Sequence, residues 1–123
     1  MSQPPEIAHR HFEERFNAGD LEGMLALYEE PATFVRGPGD YVQGRAGLID
    51  GLKAFLGTGG KLKLDTRYAV RQGELALLSN EWTLTGTGPD GQPFTHTGRT
   101  VEVVRLQADG RWLYVIDHPW GAQ

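Results

Sequence analysis

Four histidines, His9, His11, His96 and His118, are the side chains best suited to hold a metal ion or move a proton near neutral pH. His9 and His11 stand two apart in a stretch of helical periodicity, so they point to different faces and cannot chelate one ion together. His96 and His118 could meet across strands, but a zinc centre wants three or four protein ligands. No metal site is expected, and the histidines read as structural or surface residues. The chain has no cysteine, which removes thiol nucleophiles, thiolate ligands and disulfides. Neither serine, Ser2 or Ser79, lies in a Gly-x-Ser-x-Gly elbow. Gly57-Thr58-Gly59-Gly60-Lys61 is glycine-rich, yet Leu62 stands where a phosphate loop needs a hydroxyl, and strand periodicity follows instead of a helix. No cofactor is expected. The adjacent acids Glu13 and Glu14 read as a solvated helix face.

The elements that must position any site residues follow from periodicity. Pro4, Pro5 and Glu6 suit a helix start, and Ala8, Phe12 and Phe16 recur on one face of the helix that follows. Asn17-Ala18-Gly19 ends it, and Asp20 can cap a second helix carrying Leu21, Met24, Leu25 and Tyr28 on one stripe. Pro31 stops that helix. Ala32 to Arg36 reads as a short strand, Tyr41 and Val42 as part of another, and Arg45 to Leu56 as a third helix. From Lys61 the period changes to two. Strands are expected from Lys61 through Val70, Leu75 to Thr87, Phe94 to Gln107 and Arg111 to Trp120, with Asp109-Gly110 as a hairpin turn. Helices followed by consecutive strands joined by turns argue for an α+β chain with an antiparallel sheet.

At 123 residues, the length fits one domain, 1–123, with no linker or repeat. A hydrophobic fraction of 39% and a charged fraction of 23% are ordinary for a folded protein. The net charge of −4 gives no reason to expect nucleic acid, which rewards basic patches. No apolar run approaches the roughly 20 residues that span a bilayer, and Met1 to Glu6 lacks the pattern of a signal peptide. A cytoplasmic protein with a small, weakly charged partner is the expectation.

Several motifs fall in a familiar order. Phe16-Asn17-Ala18-Gly19-Asp20-Leu21 followed by Leu27-Tyr28 resembles the opening of SnoaL-like and ketosteroid-isomerase-like proteins of the nuclear transport factor 2-like superfamily. Glu29-Glu30-Pro31, the strand Ala32 to Val35 and the Gly44-Arg45 entry to the third helix match the segments that come next. Val104 to Gln107, Asp109 to Trp112 and Ile116 to Pro119 are similar to the family's last hairpin. The resemblance implies an α+β roll: a cone-shaped, curved antiparallel sheet wrapped around three N-terminal helices, open at one end. It also implies a homodimer through the outer sheet face. The family includes isomerases, cyclases, dehydratases, epoxide hydrolases and binding modules, so the fold does not choose among them.

Carrying the isomerase residues over one by one implies a departure from that chemistry. Phe12 falls where the isomerase has its donor tyrosine, and Phe12 cannot donate. Arg36 falls at the position of the catalytic base, and a guanidinium stays protonated. Only Glu102 keeps an acid at the third position. With Glu102 inward, alternation turns His96, Gly98, Thr100 and Val104 inward too, in the absence of a bulge. The family register puts Leu113, Val115 and Asp117 inside, and Trp112, Tyr114 and Ile116 outside. Arg36, Glu102 and Asp117 then form the candidate catalytic set, with Phe12, Phe16, Phe34, Trp82, His96 and Val104 as the ligand-binding set. The same charges also read as a structural ion pair of Arg36 with either acid, and the aromatics as plain core.

Two functions follow from this. One is a small-molecule-binding protein, an isomerase, cyclase or hydrolase acting by acid–base chemistry on an apolar compound with a polar handle. The other is a non-catalytic dimeric binding or assembly module whose cone is filled by its own side chains.

Overall fold

The computed structural model describes residues 3–121. Helix α1 (Ile7–Asn17) buries Ala8, His9 and Phe16. Gly19, at φ 68°, reverses the chain in the left-handed region that glycine tolerates. Asp20 then caps α2 (Leu21–Leu25) by accepting the Gly23 amide at 2.9 Å. This helix is shorter than its apolar stripe suggested, because Tyr28 already belongs to strand β1 (Tyr28–Gly37). Strand β2 (Asp40–Gln43), helix α3 (Arg45–Leu56) and strands β3 (Lys61–Gln72) and β4 (Leu75–Thr87) follow. The strand expected from Phe94 to Gln107 divides at Thr100 into β5 (Pro93–Arg99) and β6 (Val101–Leu106), and β7 (Trp112–His118) completes the sheet.

The seven strands run in the order β2-β1-β7-β6-β4-β3, with β5 pairing the second half of β4. All pairs are antiparallel except β1 with β7, which is parallel. The expected curved antiparallel sheet is present, and this one parallel pair makes it mixed. The parallel pair forms because the final strand lands beside the strand that follows the helices. The sheet is curved and unclosed, and the helices lie in its concavity, α1 against β3 and β7 and α3 against β1.

Curvature is built at one level of the sheet. β3 has an extra residue, Arg67, between Thr66 and Tyr68, which pair with Asn80 and Ser79. On the other side of β4, the β5–β6 break at Thr100 faces the same two residues. There Ser79 Oγ donates to the Thr100 carbonyl at 2.6 Å, and the Asn80 amide donates to Thr100 Oγ1 at 3.0 Å. Interrupting both flanking ladders at one point lets the sheet bend.

A second irregularity changes which residues face inward. Val103 pairs with Ile116, but Val104 pairs with Tyr114, so Val115 is the extra residue of a bulge in β7. Tyr114 and Trp112 are therefore buried, whereas the unbroken register had put them outside, and of that trio only Ile116, 40% exposed, lies on the outer face.

Candidate functional site

The hollow of the sheet holds a cavity of about 50 Å³. On this measure a water needs roughly 10–15 Å³, so there is room for a few waters or a compact ligand. Its walls are apolar: Phe12 and Phe16 from α1, Phe34 from β1, Leu52 and Phe55 from α3, Leu62 and Leu64 from β3, Trp82 and Leu84 from β4. Phe12, Phe55, Leu62 and Leu64 are only partly buried and form the rim. Two glycines make the walls possible. A Cβ on Gly98 would stand 2.6 Å from the Trp82 ring, and one on Gly51 would stand 2.6 Å from Phe34. The Trp82 indole is also tied down, donating to the Pro119 carbonyl at 2.8 Å.

Polar groups are confined to the buried floor, where Asn80, Thr100, Glu102, Tyr114 and Asp117 converge. Glu102 and Asp117 are direct partners across β6 and β7, so two carboxyl groups point to the same side of adjacent strands. His9 Nε2 lies 2.8 Å from Glu102 Oε1, and Asn80 Nδ2 donates to Oε2 at 3.2 Å. Because a carboxylate only accepts, the His9 proton sits on Nε2. The Thr66 hydroxyl, 2.7 Å from Nδ1, can serve the ring as donor or acceptor. Asp117 is held differently: the Tyr28 hydroxyl donates to its Oδ2 at 2.5 Å, and its Oδ1 has no hydrogen-bond partner among the described residues. Arg45 fixes the start of β1, and so Tyr28, by donating to the Leu25 and Tyr28 carbonyls at 2.6 and 3.1 Å.

These surroundings raise the proton affinity of Asp117. Burial and the neighbouring Glu102 charge push Asp117 up from 3.8 to about 7, against the opposing influence of Tyr28 and His9. Burial, with the adjacent acids, raises the phenols of Tyr28 and Tyr114 well above their ordinary range, so both stay protonated. The floor thus offers a carboxyl group able to take or give a proton near neutral pH, beside a fixed carboxylate and two phenols. Among the described residues no three His, Asp or Glu side chains converge as a metal centre.

Of the candidate site residues, Glu102, Asp117, Phe12, Phe16, Phe34 and Trp82 line the cavity. Three others do not. Arg36 extends from β1 beyond Phe34, the last residue paired with β7, and its guanidinium bonds the exposed Asp40 at 2.7 Å. A surface partner four residues away spares it the cost of burial. His96 lies opposite Leu84 on β5, but its ring is exposed against Phe94 and borders a separate recess with Ala54, Gly57 and Thr58 at the end of α3. Val104 is fully buried in the core without lining the cavity.

His9, Tyr28, Asn80 and Tyr114 were missed. His9 carried a readable signal, because it precedes Phe12 and Phe16 at helical spacing and so shares their inner face. Tyr28 was hidden in a helical stripe, Tyr114 by the β7 bulge, and Asn80 had no sequence signal. The pair Glu13-Glu14 also divides, since Glu13 is half-buried and accepts the Leu64 amide at 2.7 Å.

Comparison with known proteins agrees with this architecture. No curated protein matches the sequence. A ketosteroid isomerase-like protein from Erwinia carotovora atroseptica superposes with a TM-score of 0.77 at 19% identity, over 92% of this chain and 89% of that one. A candidate dehydratase of the NTF2-like family from Streptomyces avermitilis gives 0.76 at 18% identity, over 95% and 93%. A candidate calcium/calmodulin-dependent protein kinase type II association domain from Thiobacillus denitrificans gives 0.77 at 22%, over 100% and 98%. The model of the SnoaL-like domain matches residues 8–115, most of the chain, and this makes the chain a member of the SnoaL-like family.

Proposed function

We propose that the chain binds a compact apolar molecule with a polar handle in its cone and moves a proton on it, with Asp117 as the titrating group. The observation that carries this reading is the pairing of unlike environments on neighbouring strands. Glu102 has both oxygens engaged by His9 and Asn80, whereas Asp117 keeps Oδ1 unpartnered at the cavity. A ligand proton within hydrogen-bond reach of Oδ1 can pass to Asp117, and the nearby Glu102 charge favours keeping it there until it is returned. Tyr28 holds the carboxyl in place, and the Tyr114 hydroxyl can support charge that develops on the handle. Glu102 acts by its charge, and the apolar walls keep bulk water from competing. Arg36 has no part in this reading.

The test is proton exchange in deuterated water. A panel of small ketones, hydroxyketones and unsaturated alcohols is incubated with the protein and followed by NMR. Wild type should place deuterium at activated carbons, while Asp117→Asn and Glu102→Gln, both near-isosteric, should lose this ability and remain folded. Equal exchange in all three proteins would sink the assignment.

A specific feature supports a second reading, a dimeric assembly module. Val70, Leu77, Val103 and Ile116 pair in succession across β3, β4, β6 and β7 and form an apolar row on the outer sheet face. Val70, Leu77 and Ile116 in that row are exposed at 58, 39 and 40%. Two copies packed through this row would make a homodimer. Sedimentation should show a dimer that Leu77→Glu with Ile116→Glu converts to monomer; a wild-type monomer would overturn the interface.

A further inference from the structure

Six of the side chains that line the cavity are aromatic: Phe12, Phe16, Phe34, Phe55, Trp82 and Tyr114. Phe55 stands nearly perpendicular to both Phe34 and Trp82, at 75 and 78°, so these rings make walls set at an angle rather than a stack. Glu102 and Asp117 add two carboxyl groups, and among the described residues no lysine or arginine lines the cavity. Arg36 is committed to Asp40, and Arg45 to the Leu25 and Tyr28 carbonyls.

The two acids differ in what balances their charge. Glu102 has His9, whose Nε2 is turned to it at 2.8 Å. Asp117 has no basic partner within ion-pair distance among the described residues, and its Oδ1 accepts no hydrogen bond there. That oxygen is not sealed in either, because among the described residues the one sealed and unpartnered side-chain oxygen is that of Asn80. Asp117 is thus a carboxyl group in a residue 6% exposed, lining an aromatic-walled space, without a counter-charge.

We propose that the cone takes a small protonated amine, with Asp117 Oδ1 as its counter-ion and the aromatic walls around its carbons. This rests on the cone being a ligand site and names the handle as a positive charge. Aromatic faces carry the negative end of a quadrupole and attract a cation that has shed its water, which aliphatic walls do not do. An ammonium N–H donates to Oδ1 in a charge-assisted hydrogen bond, the stronger kind. The neighbouring Glu102 charge, which disfavours a second anion at Asp117, favours a cation there. An anionic handle would meet two acids with no guanidinium to receive it. The cavity volume of about 50 Å³ confines the rest of the ligand to a compact body.

The experiment titrates pyrrolidine and tetrahydrofuran into nitrogen-15-labelled protein and follows the Trp82 indole signal at the cavity wall. The two rings are matched in size and differ in a protonated nitrogen against an ether oxygen. At about pH 8 pyrrolidine carries its proton, and Asp117, with a value of about 7, has lost its own. Wild type should bind the pyrrolidinium about tenfold more tightly than the ether. Asp117→Asn should lose that preference while still binding the ether, which shows that its cavity is intact. Equal binding of the two compounds to wild type, or tighter binding of the ether, overturns the proposal and leaves the ligand site standing. An undiminished preference for the cation in Asp117→Asn overturns Asp117 as its counter-ion. Binding of neither compound to wild type overturns the ligand site and this inference together.

Discussion

The Tyr28 hydroxyl donates to Asp117 Oδ2 at 2.5 Å across the parallel β1–β7 pair, joining residues 89 positions apart in the chain. This contact leaves one carboxyl oxygen fixed and the other free. It also lowers the Asp117 proton affinity, against burial and the Glu102 charge, which raise it. Tyr28→Phe should move the Asp117 titration above about 7 and cost about 1–2 kcal/mol of stability. Carboxyl carbon NMR of the two proteins across pH would show it; an unchanged midpoint would contradict the role given to Tyr28.

Asp117 should also make stability fall as pH rises. Its folded-state value is raised, so its contribution is complete below about pH 4 and is lost as pH climbs through about 7. The rise from 3.8 to about 7 corresponds to roughly 4 kcal/mol at about 1.36 kcal/mol per pH unit. Asp117→Asn, which never ionises, should therefore gain on wild type progressively between about pH 4 and pH 8. Urea unfolding of both proteins across that range measures the gain, and a constant difference would refute it.

The His9–Glu102 pair is buried on both sides, with side-chain exposures of 3 and 5%. His9→Leu leaves Glu102 Oε1 without its partner and should destabilise by about 3 kcal/mol. The double variant with Glu102→Leu should be less damaged than the sum of the single changes, by about 1–3 kcal/mol. Strictly additive losses in a denaturation cycle would mean that the two side chains do not act as a pair.

Gly98 faces Trp82 across β4 and β5 with no room for a methyl group. Gly98→Ala should force the indole away from Gly98 and into the cavity, costing about 1–3 kcal/mol and weakening ligand binding. A melting temperature and a cavity-ligand titration together test this. Unaltered values for both would show that the ring has slack.

Arg36→Ala removes an exposed ion pair and should change stability by less than about 0.5 kcal/mol. Deuterium exchange on bound ligands should match wild type. A large loss of exchange would restore Arg36 to the site.

Most of the architecture was legible because it rests on local signals: the apolar period of α1 and α3, Asp20 as a cap, Asp109-Gly110 as a turn. The burial of Gly98, Thr100 and Val104 followed from alternation anchored at Glu102. What escaped depended on counts that single strands do not carry. One extra residue at Val115 turned Tyr114 from the outer face to the cavity, and His96, far along β5 opposite Leu84, is exposed away from the cavity. Arg36 was misplaced because an aligned position says nothing of how far a strand runs past its neighbours. His9 was the avoidable miss. Its spacing to Phe12 already sets it among the residues facing the sheet.

The cavity floor also has a consequence for folding. His9 meets Glu102 over 93 positions, and α1, β1, β4, β6 and β7 each contribute one part of the floor. Contacts so distant in sequence form late, after the cost of closing long loops has been met. A chain folded only as far as β6 would hold Glu102 and Asn80 but neither Asp117 nor Tyr114. A compound that rests on the floor therefore binds the finished molecule alone, and its binding energy adds directly to the stability of the fold. Occupancy of the cone is then a report that the last strand has docked.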